Sequence, residues 1–195
     1  MSDPNPALDA RVAPKPCVGL LEHRSIARGI EVADALLKVA QVEILFSAPV
    51  HPGKHVTLFT GEVEDVRSAL RRGAEVAGED LVDEAIIPDL HPGVLPAVRG
   101  EVPIEPLDAL GVVETFTVAS IVLAADLAAK RSSVRLLRVR LANGMGGKSF
   151  FTLTGEVSDV RAATGAGAAS AREKGLLVRE VVIPKPHADL ARTLG

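Results

Sequence analysis

ANGMGGKSFFTLTGEV, residues 142–157, decides how the chain folds, because it has a counterpart in APVHPGKHVTLFTGEV, residues 48–63. Taken alone, Gly147-Lys148-Ser149 looks like the end of a phosphate-binding loop, G-x-x-x-x-G-K-[ST], although Ala142 stands where the first glycine belongs. Such a loop must open a helix, whose free N–H groups and dipole hold the anion. Here Lys148 leads into SFFTLT, which is aromatic and β-branched and ends at Gly155. That is the composition of a strand. The counterpart keeps Gly53-Lys54 but has His51-Pro52 where a phosphate loop needs glycine. Both stretches read as glycine turns between two strands.

The repeat extends outward from these turns. Val18-Gly19-Leu20-Leu21-Glu22 returns as Leu110-Gly111-Val112-Val113-Glu114, an offset of 92 (110 − 18). Ala33-Asp34 with Lys38 returns as Ala125-Asp126 with Lys130 at the same offset. Thr60-Gly61-Glu62-Val63 returns 94 residues on (154 − 60), and Ile87-Pro88-x-x-His91 returns as Ile183-Pro184-x-x-His187, 96 residues on (183 − 87). Two copies of one unit therefore stand in tandem, the second with small insertions. The proline-rich DLHPGVLPAVRGEVPIEPLD separates them. The expected division is a mobile arm at 1–16, a first domain at 17–90, a linker at 91–108 and a second domain at 109–195.

Each unit reads as a strand (CVGLLE; ALGVVE), a helix (SIARGIEVADALLKVA; TVASIVLAADLAAKR), two strands around the glycine turn, a second helix and a last strand (LVDEAIIP; LLVREVVIP). Ser25 is the expected N-cap of the first helix, with Ile30, Ala33, Leu37 and Ala40 on one face. The second helices are expected to start near Asp65 and Asp159. The order β-α-β-β-α-β predicts an α+β fold of two ferredoxin-like units, each an antiparallel sheet with helices on one face. Gly165, Gly167, Ala168 and Ala169 on the second helix of the second unit predict close backbone approach to a neighbour.

Composition narrows the function. A net charge of −3 over 195 residues, without Trp or Tyr, supplies neither the basic face nor the aromatic platforms of a nucleic-acid partner. Cys17 is the only cysteine, so no disulfide closes within the chain and a reducing setting is expected. No apolar run approaches the length of a membrane span, which predicts a soluble protein without a membrane partner. The histidines at 23, 51, 55, 91 and 187 show no metal-protease spacing, and no nucleophile and base stand in a recognisable arrangement. No enzymatic activity is expected.

GLLEHRSIARGIEVADALLKVAQVEIL (19–45), GKHVTLFTGEVEDVRSAL (53–70) and VVIPKPH (181–187), in this order and largely repeated, resemble the bacterial microcompartment shell proteins. The tandem pair resembles their two-domain, trimer-forming class, in the unpermuted order. The resemblance implies a homotrimer forming a pseudohexagonal tile with a central pore. It also implies neighbouring shell hexamers, trimers and pentamers as partners, small metabolites passing the pore, and a place in the microcompartment shell in the cytoplasm. By the same resemblance Val50, His51 and Pro52 of the first unit, with Asn143, Gly144, Met145 and Gly146 of the second, line the pore. Lys38, Lys130 and Lys185 are implied at the edges between tiles, whereas Asp89-Leu90 departs from the basic-Pro pattern before His91. On the residues alone, both Asp–Lys pairs also read as ordinary i,i+4 pairs on a helix.

Some relatives hold an iron–sulfur cluster through a pore-loop cysteine, but this loop has His51 and Pro52, so no cofactor is expected. Three His51 side chains around an axis offer a conceivable Zn²⁺ site; a solvent-facing histidine is the commoner state, and no metal is expected. The competing reading is a ligand-binding regulatory protein built from paired ferredoxin-like units.

Overall fold

In the computed structural model, residues 8, 9, 12 and 15–194 are described. The first sheet contains β1 (Cys17–His23), β2 (Val42–Val50), β3 (Lys54–Gly61) and β4 (Leu81–Pro88) in the order β2-β3-β1-β4. The second contains β5 (Ala109–Thr115), β6 (Arg135–Arg140), β7 (Ser149–Gly155) and β8 (Leu177–Ile183) in the order β6-β7-β5-β8. All pairings are antiparallel. The helices are α1 (Ile26–Val39), α2 (Val63–Ala77), a short α3 (Val94–Arg99) between the sheets, α4 (Val118–Arg131) and α5 (Val157–Glu173). This is the α+β arrangement expected, twice over.

β7 starts directly after Lys148, so the glycine loop opens a strand and not a helix. Ser25 caps α1 by accepting from the Arg28 N–H at 3.2 Å, and Thr117 caps α4 by accepting from Ser120 at 3.4 Å. The helices α2 and α5 begin at Val63 and Val157, two residues before the aspartates expected near their starts; Glu64 with Asp65, and Asp159, occupy the first turns, where the helix dipole favours negative charge. The proline-rich linker holds α3, with Pro96 in its first turn, where a missing N–H costs no intrahelical bond.

Close helix approach is confirmed at Gly167, where a Cβ would lie 2.6 Å from the Ala124 carbonyl oxygen of α4. Gly165 faces open space. Of the expected arm, Leu8 is buried, the Asp9 N–H donates to the Leu45 carbonyl at 2.7 Å, and the Lys15 ammonium meets Glu43. Residues 1–7, 10, 11, 13 and 14 of that expected arm lie outside the described residues.

The first unit has a core between its sheet and helices, built on Leu21, Val32, Leu36, Phe59, Val66 and Leu70. The other face of that sheet, with Val18, Leu20, Ala85 and Ile87, joins a second cluster that runs through α3 into α4. One sheet is thus covered on both faces, by its own helices and by the helix of the following unit.

Candidate functional site

The two glycine turns meet each other. The His51 N–H donates to Asn143 Oδ1 at 3.2 Å, and the His51 ring Nδ1 lies 3.3 Å from the same oxygen. Lys54 anchors the contact from below. Its ammonium is 2.7 Å from Glu22 and 3.4 Å from the carbonyls of Phe116 and Gly147. Gly147, at φ +86°, brings its backbone so close that a Cβ would lie 2.8 Å from Pro52. Lys148 makes the matching bond to Glu114 at 2.8 Å.

An open groove of about 630 Å³ lies between the turns, lined by Pro49, Val50, His51, Asn143, Gly144 and Ile26. Of the residues expected to line a pore, His51, Pro52, Gly144 and Gly146 are exposed, and Asn143 and Met145 are half-buried. Val50 differs: it is only 3% exposed and packs in the core, so it supports the turn from behind. Among the described residues, no group of three or more His, Cys, Asp or Glu side chains is placed to hold a metal ion, and no helix is long and apolar enough to cross a membrane.

A second site, missed by sequence reasoning, is the joint between the units. Glu22 is fully buried, and its carboxylate accepts from the N–H groups of Val118 and Ala119 at 2.7 and 3.3 Å. Burial pushes the Glu22 carboxyl above its ordinary range, while Lys54 and the two amides pull it back. Beside it, Asp83 accepts from the hydroxyls of Thr117 (2.6 Å) and Ser120 (2.7 Å) and from the Lys174 ammonium (2.8 Å). Burial alone would raise this carboxyl; the bonds from Lys174, Thr117 and Ser120 outweigh it and hold Asp83 below the usual carboxylate range. Farther along α4, the His91 N–H donates to Asp126 at 2.8 Å, and Lys130 bonds both Asp126 and the Pro88 carbonyl. The recurrence of Glu22 as Glu114 and of Asp34-Lys38 as Asp126-Lys130 was the available signal.

The repeat makes the other end of the chain look unfinished. On α4, Val118, Val122 and Ala129 are 0, 2 and 7% exposed; their equivalents on α1, Ile26, Ile30 and Leu37, are 37, 60 and 47% exposed. The stripe of Ile30 and Leu37 singled out in the sequence is therefore the uncovered face of α1, while Gly29, Val32 and Leu36 face its own sheet. On the sheets, Ala85 of β4 is 5% exposed and its counterpart Val181 of β8 is 39% exposed. Lys38 and Lys185 project into solvent, whereas Lys130 sits in the joint.

The BMC domain family matches residues 17–90 and again residues 109–186. Over 177 residues the chain is 44% identical to the bacterial microcompartment shell protein PduT of Citrobacter freundii, covering 91% of this chain and 96% of that one. It is also 39% identical over 84 residues to the shell protein EutM of Salmonella typhimurium, 43% of this chain and 85% of EutM. A solved microcompartment protein from Desulfitobacterium hafniense DCB superposes with a TM-score of 0.78 at 48% identity, covering 90% of this chain and 98% of that one. The fused permuted hexameric shell protein MSM0275 from the RMM microcompartment shares the fold, with a TM-score of 0.60 at 22% identity over 80% of this chain and 81% of that one.

Proposed function

The chain belongs to the BMC domain family of bacterial microcompartment shell proteins, and on that premise we propose that it is a structural subunit of such a shell in the cytoplasm, with three chains closing head to tail into one tile. Similarity to shell proteins does not favour the regulatory alternative. The role proposed is that of a wall, without catalysis.

One observation carries the ring. The face that α4 buries against β4 is left open on α1, and the face of β4 that receives α4 is left open on β8. An apolar helix face and an apolar sheet face at opposite ends of one chain cannot meet within it, so they join one copy to the next. Such a joint is heterologous and ends in a closed ring or an open filament. Closure after three chains, six units in all, gives the pseudohexagonal tile that the family resemblance implies. The turns at 50–52 and 143–146 then surround the opening, and exposed backbone and His51 offer hydrogen-bonding groups to a passing metabolite. Lys185 and Lys38 are the contacts proposed between tiles, with Lys38, the equivalent of Lys130, at the border of the joint between chains.

Light scattering on the purified chain tests this. A mass three times the 20.4 kDa of one chain is expected, falling to a single chain in Ile30→Asp with circular dichroism unchanged. Ile30 is 60% exposed in the isolated chain, so its replacement spares the monomer's fold. A monomer at every concentration would sink the ring, as would a trimer indifferent to Ile30→Asp.

A further inference from the structure

The linker does two jobs at the joint inside the chain, and at the joint between chains these fall to two separate segments. Its first half leaves β4 and forms α3, which packs against β6 and α4 of the following unit. Its second half enters β5 past Thr154, as Lys15 and Pro16 enter β1 past Thr60. The Asp108 N–H donates to Thr154 Oγ1 at 3.0 Å, and the Lys15 N–H to Thr60 Oγ1 at 2.7 Å. The segment after β8 repeats the first half. The Gly93 N–H donates to His91 Nδ1 at 3.1 Å, and the Val94 N–H to the His91 carbonyl at 3.0 Å. Ninety-six residues on (187 − 91), the Asp189 N–H donates to His187 Nδ1 at 3.2 Å, and the Leu190 N–H to the His187 carbonyl at 2.9 Å. The turn that opens α3 is thus built a second time, at Ala188–Thr193.

We propose that residues 188–194 of one copy dock on α1 and β2 of the next, in the place that α3 takes on α4 and β6 inside the chain. The inference rests on the head-to-tail ring proposed above and names the segment that closes each joint. Val94 and Val98 of α3 are buried, whereas their counterparts Leu190 and Leu194 are left half-buried in the single chain. The receiving side is open as well. Asp126 of α4 is buried and accepts from the His91 N–H ahead of α3; Asp34, in its place on α1, is exposed. Docking brings the His187 N–H of one copy to the Asp34 carboxylate of the next. The rival occupant is the chain's own leading segment. Counted back by 92 residues, the place of α3 falls to residues 2–7, but SDPNPA has no large apolar side chain to fill it, while LARTL at 190–194 supplies two leucines.

Cross-linking across the joint tests the docking. Where α3 ends, the Glu101 N–H donates to the Pro96 carbonyl at 3.0 Å. The residues in their places are Asp9 (101 − 92) and Arg192 (96 + 96), which docking sets side by side between two copies. Trimers of Asp9→Cys/Arg192→Cys, treated with a short bifunctional maleimide, should run as covalent trimers on a denaturing gel, and each single variant as monomers. Cys17 is fully buried and takes no part. Sedimentation then compares the wild-type chain with Leu190→Asp/Leu194→Asp and with a chain lacking residues 188–195, with melting curves to show that each folds. Both should dissociate at about tenfold or more higher concentration than the wild type. Monomer bands alone from the double-cysteine trimers, or trimers undiminished in the other two variants, would overturn the docking while leaving the ring standing. A wild-type chain that never trimerises overturns the ring itself, and the docking with it.

Discussion

Glu22 and Val118 are 96 residues apart in the chain and 2.7 Å apart in space, where the Val118 N–H donates to the Glu22 carboxylate. An acid of the first sheet thus accepts the free amides of the first helix of the second unit, while Lys54 balances its charge from the first turn. A charge this deep is tolerable only with its partners in place.

Glu22→Ala therefore leaves the Lys54 ammonium, whose side chain is 18% exposed, without its counterion, and the first-turn amides of α4 without an acceptor. The expected loss is about 3–5 kcal/mol of unfolding free energy, read by urea denaturation. Glu114→Ala, at the equivalent place in the second unit, acts on a side chain 32% exposed. It should leave the isolated chain's stability nearly unchanged and weaken the trimer instead. Equal losses from the two substitutions in monomer stability would contradict this assignment.

The two repeated lysines should separate in the same way. Lys130 is held between Asp126, 2% exposed, and the Pro88 carbonyl, while Lys38 and Asp34 form a pair on an open helix face with side chains 73 and 62% exposed. Lys130→Ala should cost about 1–3 kcal/mol of chain stability by leaving a buried carboxylate short of a partner. Lys38→Ala should leave the melting temperature as it was, since exposed pairs contribute little, yet abolish flat arrays seen by electron microscopy. Ordered arrays from Lys38→Ala would remove this lysine from the tile edge.

The contrast between these lysines shows what a repeat can tell. The strands were legible because SFFTLTG and KHVTLFTG have the right composition and a glycine stop, and α1 because Ser25 precedes an apolar rhythm. The inward face of α1 was not legible. Val32 and Leu36 form one apolar stripe, Ile30 and Leu37 another, and periodicity alone does not rank two apolar faces of one helix. The short α3 hid behind prolines that the first helical turn tolerates. The meeting of His51 with Asn143 leaves no trace in spacing at all, because it depends on how two units dock.

Acid should destabilise the first unit more than the second. His23 and His55 pair across β1 and β3, both buried, with His23 Nδ1 and Nε2 and His55 Nδ1 making no hydrogen bond. Burial pushes His23 down to about 4, against a rise from the His55 backbone and Asp80, and burial lowers His55 as well. A histidine depressed in the folded state favours the neutral form. Its contribution is whole above the unfolded value near 6.5 and is lost as pH falls from there toward 4. For His23 that loss is about 3 kcal/mol. The second unit has Thr115 and Ser149 in these places. Unfolding free energy measured from pH 7 to 4 should fall with a slope that His23→Thr reduces; an unchanged slope removes His23 as its source.

The same pair of units offers a test of packing by exchange. His55 fills the space beneath Gly29 of α1, where a Cβ would lie 2.4 Å from the ring. In the second unit the sizes are reversed, with buried Ile121 at the helix position and buried Ser149 on the strand. Gly29→Ala gains about 1 kcal/mol of helix propensity, but the enclosed ring cannot step aside, and forcing it costs about 1–3 kcal/mol. A net loss is expected in Gly29→Ala alone. His55→Ser alone leaves a cavity and also destabilises. Together the two should recover much of both losses, because the new methyl group enters the space the ring vacates. Strict additivity of the two losses in a denaturation cycle would mean that ring and glycine do not share that space.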